Sequence, residues 1–164
     1  MESHRLWRAV STCRLKQFRE NVEFIKGGIL DIVKIEGYTS DELLALPPAE
    51  LDAFVFIGRP VVVRVGSAEV LAECRRRGAT LVVDLAHIDG GGEGALPTLA
   101  TFLDRFAQRR GFQRIEWLVR ATNCARPNDK LRRVLVRKGF EIRTVAEFGD
   151  CYYKATTVDT SHAV

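Results

Sequence analysis

Residues 80–121 hold the pattern that most restricts the fold. A β-rich run, TLVVDLAHI (80–88), passes through DGGGEGALP (89–97) into TLATFLDRFAQRRG and then into a second β-rich run, RIEWLVRA (114–121). The middle segment is an amphipathic helix over 97–110: Leu99, Phe102, Leu103, Phe106 and Ala107 recur at spacings of three and four, and Pro97 is tolerated in a first helical turn. Strand, helix, strand is a crossover. It makes the two strands parallel neighbours, joined by a right-handed connection.

The flanking segments extend this unit. PVVVRVG (60–66) is β-branched and reads as a strand. SAEVLAECRRR (67–77) fits a helix capped by Ser67, and it equally fits a strand in which Val70, Ala72 and Cys74 alternate with Leu71, Glu73 and Arg75. Downstream, NDKLRRVLVRK (128–138) predicts a helix capped by Asn128 and stopped by Gly139. EIRTV and CYYKATTV then predict a hairpin across Gly149. Upstream the pattern is weaker: a helix over 5–24, a strand over 28–35, a short helix capped by Ser40, a break at Pro47-Pro48, and a second helix from AELDAFVFI. The expected fold class is mixed α/β (α+β), a mixed sheet flanked by helices, rather than a repeated, fully wound one.

Four glycines stand within residues 90–94, between the strand and the helix. Glycine lets backbone N–H groups approach a ligand, and a helix N-terminus adds unpaired donors and a positive dipole end. The amides of residues 90–96 therefore read as a pyrophosphate cradle; the plain alternative is a tight or flexible turn. No Gly-Lys-Ser or Gly-Lys-Thr follows, and Gly92-x-Gly94 is not completed as GxGxxG, so the phosphate loop of nucleotide triphosphatases and the dinucleotide fingerprint do not apply.

Two stretches together resemble the GCN5-related N-acetyltransferase (GNAT) superfamily. One is Asp89-Gly90-Gly91-Gly92-Glu93-Gly94, at the place of that family's Arg/Gln-x-x-Gly-x-Gly/Ala. The other is Asn128 to Phe140, similar to a late helix that begins near Asn and ends in Gly-Phe. The resemblance spans roughly residues 60–155. It implies a GNAT-like core at 59–158, an N-terminal portion at 1–58 and a flexible tail at 159–164, and it requires a strand at 67–77. It further implies acetyl-CoA as acyl donor, held by Ile88, Gly90, Gly91, Gly92, Gly94, Ala95 and Asn128, with Asn123 competing for the role of Asn128. The implied reaction is acetyl transfer to a small-molecule or protein amine. Asp89 stands where the family has Arg or Gln, and Leu135 where many members place a proton-donating tyrosine.

Acetyl transfer needs a neutral amine, a donor to the thioester carbonyl, and in some cases a proton for the sulfur. His87 is the candidate base, since imidazole titrates near neutrality. Asp84 is a second candidate, and three-residue spacing on a regular strand sets it on the face opposite His87. Glu116, on the neighbouring strand, is a candidate to orient substrate. Tyr152 or Tyr153 is a candidate acid; as consecutive strand residues they face opposite sides. Cys124 is a weaker nucleophile candidate, with no histidine near in sequence to activate it. Trp117 and Phe140 read as core.

With 164 residues and 46% hydrophobic content, the chain suits one globular domain. Cys13, Cys74, Cys124 and Cys151 form no CxxC pair, which supports neither a zinc site nor a disulfide framework. The net charge of +4 permits phosphate binding, but no aromatic–basic interleaving points to nucleic acid. Neither a signal peptide nor a membrane span is evident, so a cytoplasmic protein is expected. The competing reading is a binding or assembly protein that kept this fold without the reaction. There, Leu6, Trp7, Val10, Phe18 and Phe24 within residues 1–58 would dock a protein partner or a second copy, or else cover the domain's own core.

Overall fold

The computed structural model describes residues 33–35, 37–90, 94–120, 129–159 and 161. The expected helix over 5–24, the first residues of the strand expected over 28–35, the glycines at 91 and 92, and the 121–128 segment lie outside these residues. The described elements are β1 (Val33–Ile35), β2 (Tyr38–Thr39), α1 (Ser40–Leu44), α2 (Pro48–Val55), β3 (Val61–Val65), β4 (Ala68–Arg77), β5 (Thr80–Asp89), α3 (Ala95–Arg109), β6 (Arg114–Val119), α4 (Asp129–Arg137), β7 (Glu141–Val145) and β8 (Gly149–Thr157). The compact unit runs from Asp31 to Val164, so β1, β2, α1 and α2 precede residue 59 yet belong with the sheet.

The eight strands lie in the order β2-β1-β3-β4-β5-β6-β8-β7. Only β5 and β6 pair in parallel, across the α3 crossover; every other neighbouring pair is antiparallel. This is the mixed α/β sheet that the crossover and the terminal hairpin dictate. The ambiguous 67–77 segment is strand β4, joined to β3 through a turn at Gly66, whose φ of 59° suits glycine. Val70 and Ala72 are buried against the helices, which a period of two allows and a helix over the same residues would not. The cap of α1 is Thr39, not Ser40. Its Oγ1 accepts from the Glu42 amide at 3.2 Å while Glu42 Oε2 accepts from the Thr39 amide at 2.9 Å, a reciprocal capping box.

Register divides the sheet into two unlike faces. On one, Val61, Val63, Val65, Ala68, Val70, Ala72, Leu81, Val83, Leu85, Ile115, Trp117 and Val119 are all buried. Arg76 shares that face and stacks on Phe56 and Phe112, which pack in turn with Phe106 of α3. All five apolar positions expected to face the core from α3 are buried. The helix is tied to α2 by a two-pronged Arg110–Asp52 pair, with Nε 2.7 Å from Oδ1.

The opposite face is polar around a small apolar centre. Val82, Leu118 and Cys151 are buried there, with Val145, Phe148 and Tyr153 against them. Around them run Arg64–Glu69, Arg75–Glu147, Arg77–Glu116, Arg114–Glu116 and Arg120–Asp84. The cationic strand residues are thus matched by carboxylates on the same face. Among the described residues, no helix is long and apolar enough to cross a membrane.

Candidate functional site

The parallel pair does not run the length of β5. Its register begins at Thr80 and Arg114 and ends at Leu85 and Val119, closed by the Arg120 amide donating to the Leu85 carbonyl at 3.0 Å. β5 continues to Asp89. Among the described residues no strand pairs with it on the β6 side beyond Leu85, while β4 still pairs with it on the other side. The end of β5 and the N-terminus of α3 therefore lie together at the carboxyl ends of the parallel strands, where open α/β sheets take their ligands.

Local sequence explains this end. Ala86 is an extra residue in β5: Ala72 pairs with Leu85 and Leu71 with His87, so the register shifts between them. A bulge of this kind bends the strand and reverses the sense of its alternation. Gly90 then turns the chain with φ of 69°. Gly94 caps α3 with its carbonyl alone, accepting from the Thr98 amide at 3.0 Å and from Thr98 Oγ1 at 2.7 Å. Among the described residues no side chain caps this helix; Pro97 has no N–H and the Thr98 amide is bonded to Gly94, so Ala95 and Leu96 are the first-turn amides left to meet an anion.

The bulge corrects one expectation. Glu73 pairs with Asp84 and Leu71 with His87. Residues 71 and 73 share a face of β4, so Asp84 and His87 share a face of β5 rather than opposing each other. His87 is exposed. Asp84 is buried at 2% exposure, and the Arg120 guanidinium grips it with Nε 3.0 Å from Oδ1 and Nη2 on Oδ2. That bond raises the Arg120 pKa further above its ordinary value.

The other catalytic candidates are not drawn to His87. Glu116 is engaged by Arg77 and Arg114. Tyr152 pairs with Val119 and is buried on the helix-covered face, away from the face of His87 and Asp84. Tyr153 takes the polar face, where its hydroxyl accepts from Arg114 Nη2 at 3.2 Å and Arg143 stacks 4.4 Å from its ring. Trp117 is core, as read from the sequence; Phe140, also read as core, is only half-buried, and Leu135 is buried. Of the cofactor candidates, Ile88 is half-buried on β5, opposite Val70, and Gly90, Gly94 and Ala95 bracket the turn. Gly91, Gly92 and Asn128, with Asn123 and Cys124, lie outside the described residues.

Sequence reasoning missed Arg120 and Phe148. Glu73 and Asp84 are directly opposed across β4 and β5, and two arginines answer them. Arg75 reaches toward Glu73, Arg120 binds Asp84, and both guanidinium groups stack on the Phe148 ring, at 4.7 and 4.6 Å. A signal was present: an aspartate inside an apolar central strand demands a cation, and Arg120 directly follows the neighbouring strand. Cys151 lies beside the pair, its pKa raised by burial and by Asp84. Among the described residues, no three of His, Cys, Asp and Glu come together to hold a metal ion.

No family model matches the chain, and neither does any curated protein sequence. Among solved structures, the chain is similar to an acetyltransferase of the GNAT family from Streptococcus pneumoniae: 18% identity, 70% of this chain and 78% of that one, TM-score 0.36. It is similar to Ard1 from Thermoplasma volcanium at 12% identity, over 78% of this chain and 99% of that one, TM-score 0.37. It is similar to the ribosomal-protein-S18-alanine N-acetyltransferase from Escherichia coli at 15% identity, over 77% and 94%, TM-score 0.37.

Proposed function

We propose that this chain binds an acyl-CoA, acetyl-CoA in the first instance, and transfers its acyl group to an amine. The observation that carries this reading is that, among the described residues, the β5–β6 pairing ends at Leu85 and Val119, beside a helix N-terminus that no side chain caps. The amide-bearing arm of CoA needs backbone partners, and among the described residues no strand pairs with the end of β5 on the β6 side. Its phosphates need N–H donors and positive potential, which the amides of Gly94, Ala95 and Leu96 at the start of α3 would supply. The residues present therefore fit the group. When bound, it would supply a thioester carbonyl open to attack by an amine.

The chain's own part in the chemistry falls to His87. Exposed on β5 beyond the end of the β6 ladder, it would take the proton that the amine gives up as the amide bond forms. Titration of labelled protein with acetyl-CoA tests the binding half. Amide shifts should move at Ala86 to Gly90 and at Gly94 to Leu96; unmoved shifts at millimolar ligand would overturn it. Thiol release in the presence of a panel of amines tests the transfer half.

A second reading is a binding or assembly protein on this fold. What favours it is that Leu135 and Tyr152 are buried and that Asp84 and Glu116 are held by arginines, so none of these four supplies a proton to the sulfur beside His87. In that case residues 1–58 contact a protein partner or a second copy. Assembly in light scattering, with no thiol release for any amine, supports this reading; release of thiol defeats it.

A further inference from the structure

We propose that the Asp84–Arg120 ion pair fixes the point at which the β5–β6 ladder ends among the described residues, and through it the affinity of the end of β5 for acyl-CoA. The second half of the proposal rests on the function proposed above. Arg120 is the first residue beyond β6, and it holds β5 twice. Its amide closes the ladder on the Leu85 carbonyl at 3.0 Å, and its guanidinium closes on the carboxylate of the preceding residue, Asp84. One residue thus clamps two consecutive β5 positions with its main chain and its side chain. A fork matched to a carboxylate fixes orientation as well as distance, which a point charge would not do.

The clamp is braced from outside the pair. Phe148, in the turn between β7 and β8, lies against the guanidinium groups of both Arg120 and Arg75, and its neighbour Glu147 accepts from Arg75 Nη1 at 3.3 Å. Glu73, opposite Asp84, makes the need for cations acute, since like charges directly opposed across strands repel. With Arg120 removed, the Asp84 carboxylate would be left buried beside Glu73 and without its forked partner. The end of β6 would then have to give way to let water in. The bulge at Ala86 follows directly, so the clamp is the last fixed point before β5 changes course. Asp84 and Arg120 act here as positioning residues, since the carboxylate is buried and engaged.

The experiment uses the full chain with Arg120→Lys, Asp84→Asn and Phe148→Leu, the last leaving both charges in place should either of the first two fail to fold. Three quantities are read: exchange of the Arg120 amide by NMR, the acetyl-CoA dissociation constant, and the melting temperature. Arg120 exchange should speed up while amides in the middle of β6 keep their protection. The dissociation constant should rise about tenfold or more, as when a supporting partner of a binding group is lost. A lower melting temperature with unchanged Arg120 exchange would overturn the proposal, because the pair would then only stabilise the fold. Faster exchange with unchanged affinity would overturn its second half. If the native chain binds no acetyl-CoA, the functional reading fails, and Arg120 exchange alone still decides whether the pair fixes the parting point.

Discussion

Gly90 lies against Ser67: a methyl group added at Gly90 would stand 3.0 Å from the Ser67 carbonyl oxygen, and its φ of 69° is one that side chains resist. The first glycine of the run is therefore required by the fold, because β5 turns over the β3–β4 hairpin there. Gly94, by contrast, has open space around it and φ of −81°. Gly90→Ala should cost about 1–3 kcal/mol in urea unfolding, and Gly94→Ala about 1 kcal/mol or less. Similar losses at both positions would contradict this difference.

Arg110 and Asp52 join α3 to α2 through two bonds, and Asp52 also lies 3.8 Å from Arg76. Hydrogen bonding to Asp52 raises the Arg110 pKa. The pair is partly exposed, so its worth is reduced by solvent. Asp52→Asn should lower stability by roughly 1 kcal/mol, with acetyl-CoA titration shifts at Ala86 to Gly90 unchanged. A change at those amides would mean that the helix pair reaches the site.

The fold was legible where one periodicity dominated. Five apolar positions on α3 and the β-branched run of β3 left a single arrangement each, and the crossover then dictated the parallel pair. Periodicity alone left the 67–77 segment undecided, because short apolar runs satisfy both periods; the family resemblance required a strand, and the pairing with β3 and β5 bears that out. Thr39 was missed as a cap because Ser40 fits the same rule one residue later. At the site, spacing set His87 opposite Asp84, and the single extra residue Ala86 reversed that. A bulge leaves little trace in one sequence, since alanine is at home on either face. The Asp84–Arg120 pair joins residues 36 apart, and only the parallel register brings them together.

Cys74 pairs with Val83 on the helix-covered face, and burial, followed by the charge of Glu73, pushes its pKa to about 12 from an ordinary 9.0. The folded state resists ionising this thiol, while the unfolded chain does not. Its contribution to stability is therefore complete below pH 9.0 and is lost progressively as pH rises toward about 12. Unfolding of the native chain in urea at pH 8 and pH 10.5 should show a decline that Cys74→Ala reduces. Peptide mapping after brief alkylation at pH 7.5 should find Cys74 unmodified until denaturant is added.

The proposed function gives His87 and Asp84 two roles that kinetics can tell apart. The Ala86 bulge puts both on the polar face, but only His87 is exposed; Asp84 is occupied by Arg120. A base that meets the amine only as the amide bond forms contributes to the transition state and not to donor binding. His87→Gln keeps a polar side chain of similar reach and removes the proton acceptor. It should lower kcat by about 10²-fold or more while leaving the acetyl-CoA dissociation constant and the melting temperature near their native values. Asp84→Asn should show the reverse pattern, weaker acetyl-CoA binding together with lower stability. If His87→Gln lowers donor affinity and leaves kcat intact, the histidine lines the CoA arm instead, and the proton must leave the amine by way of solvent or a group on the acceptor itself.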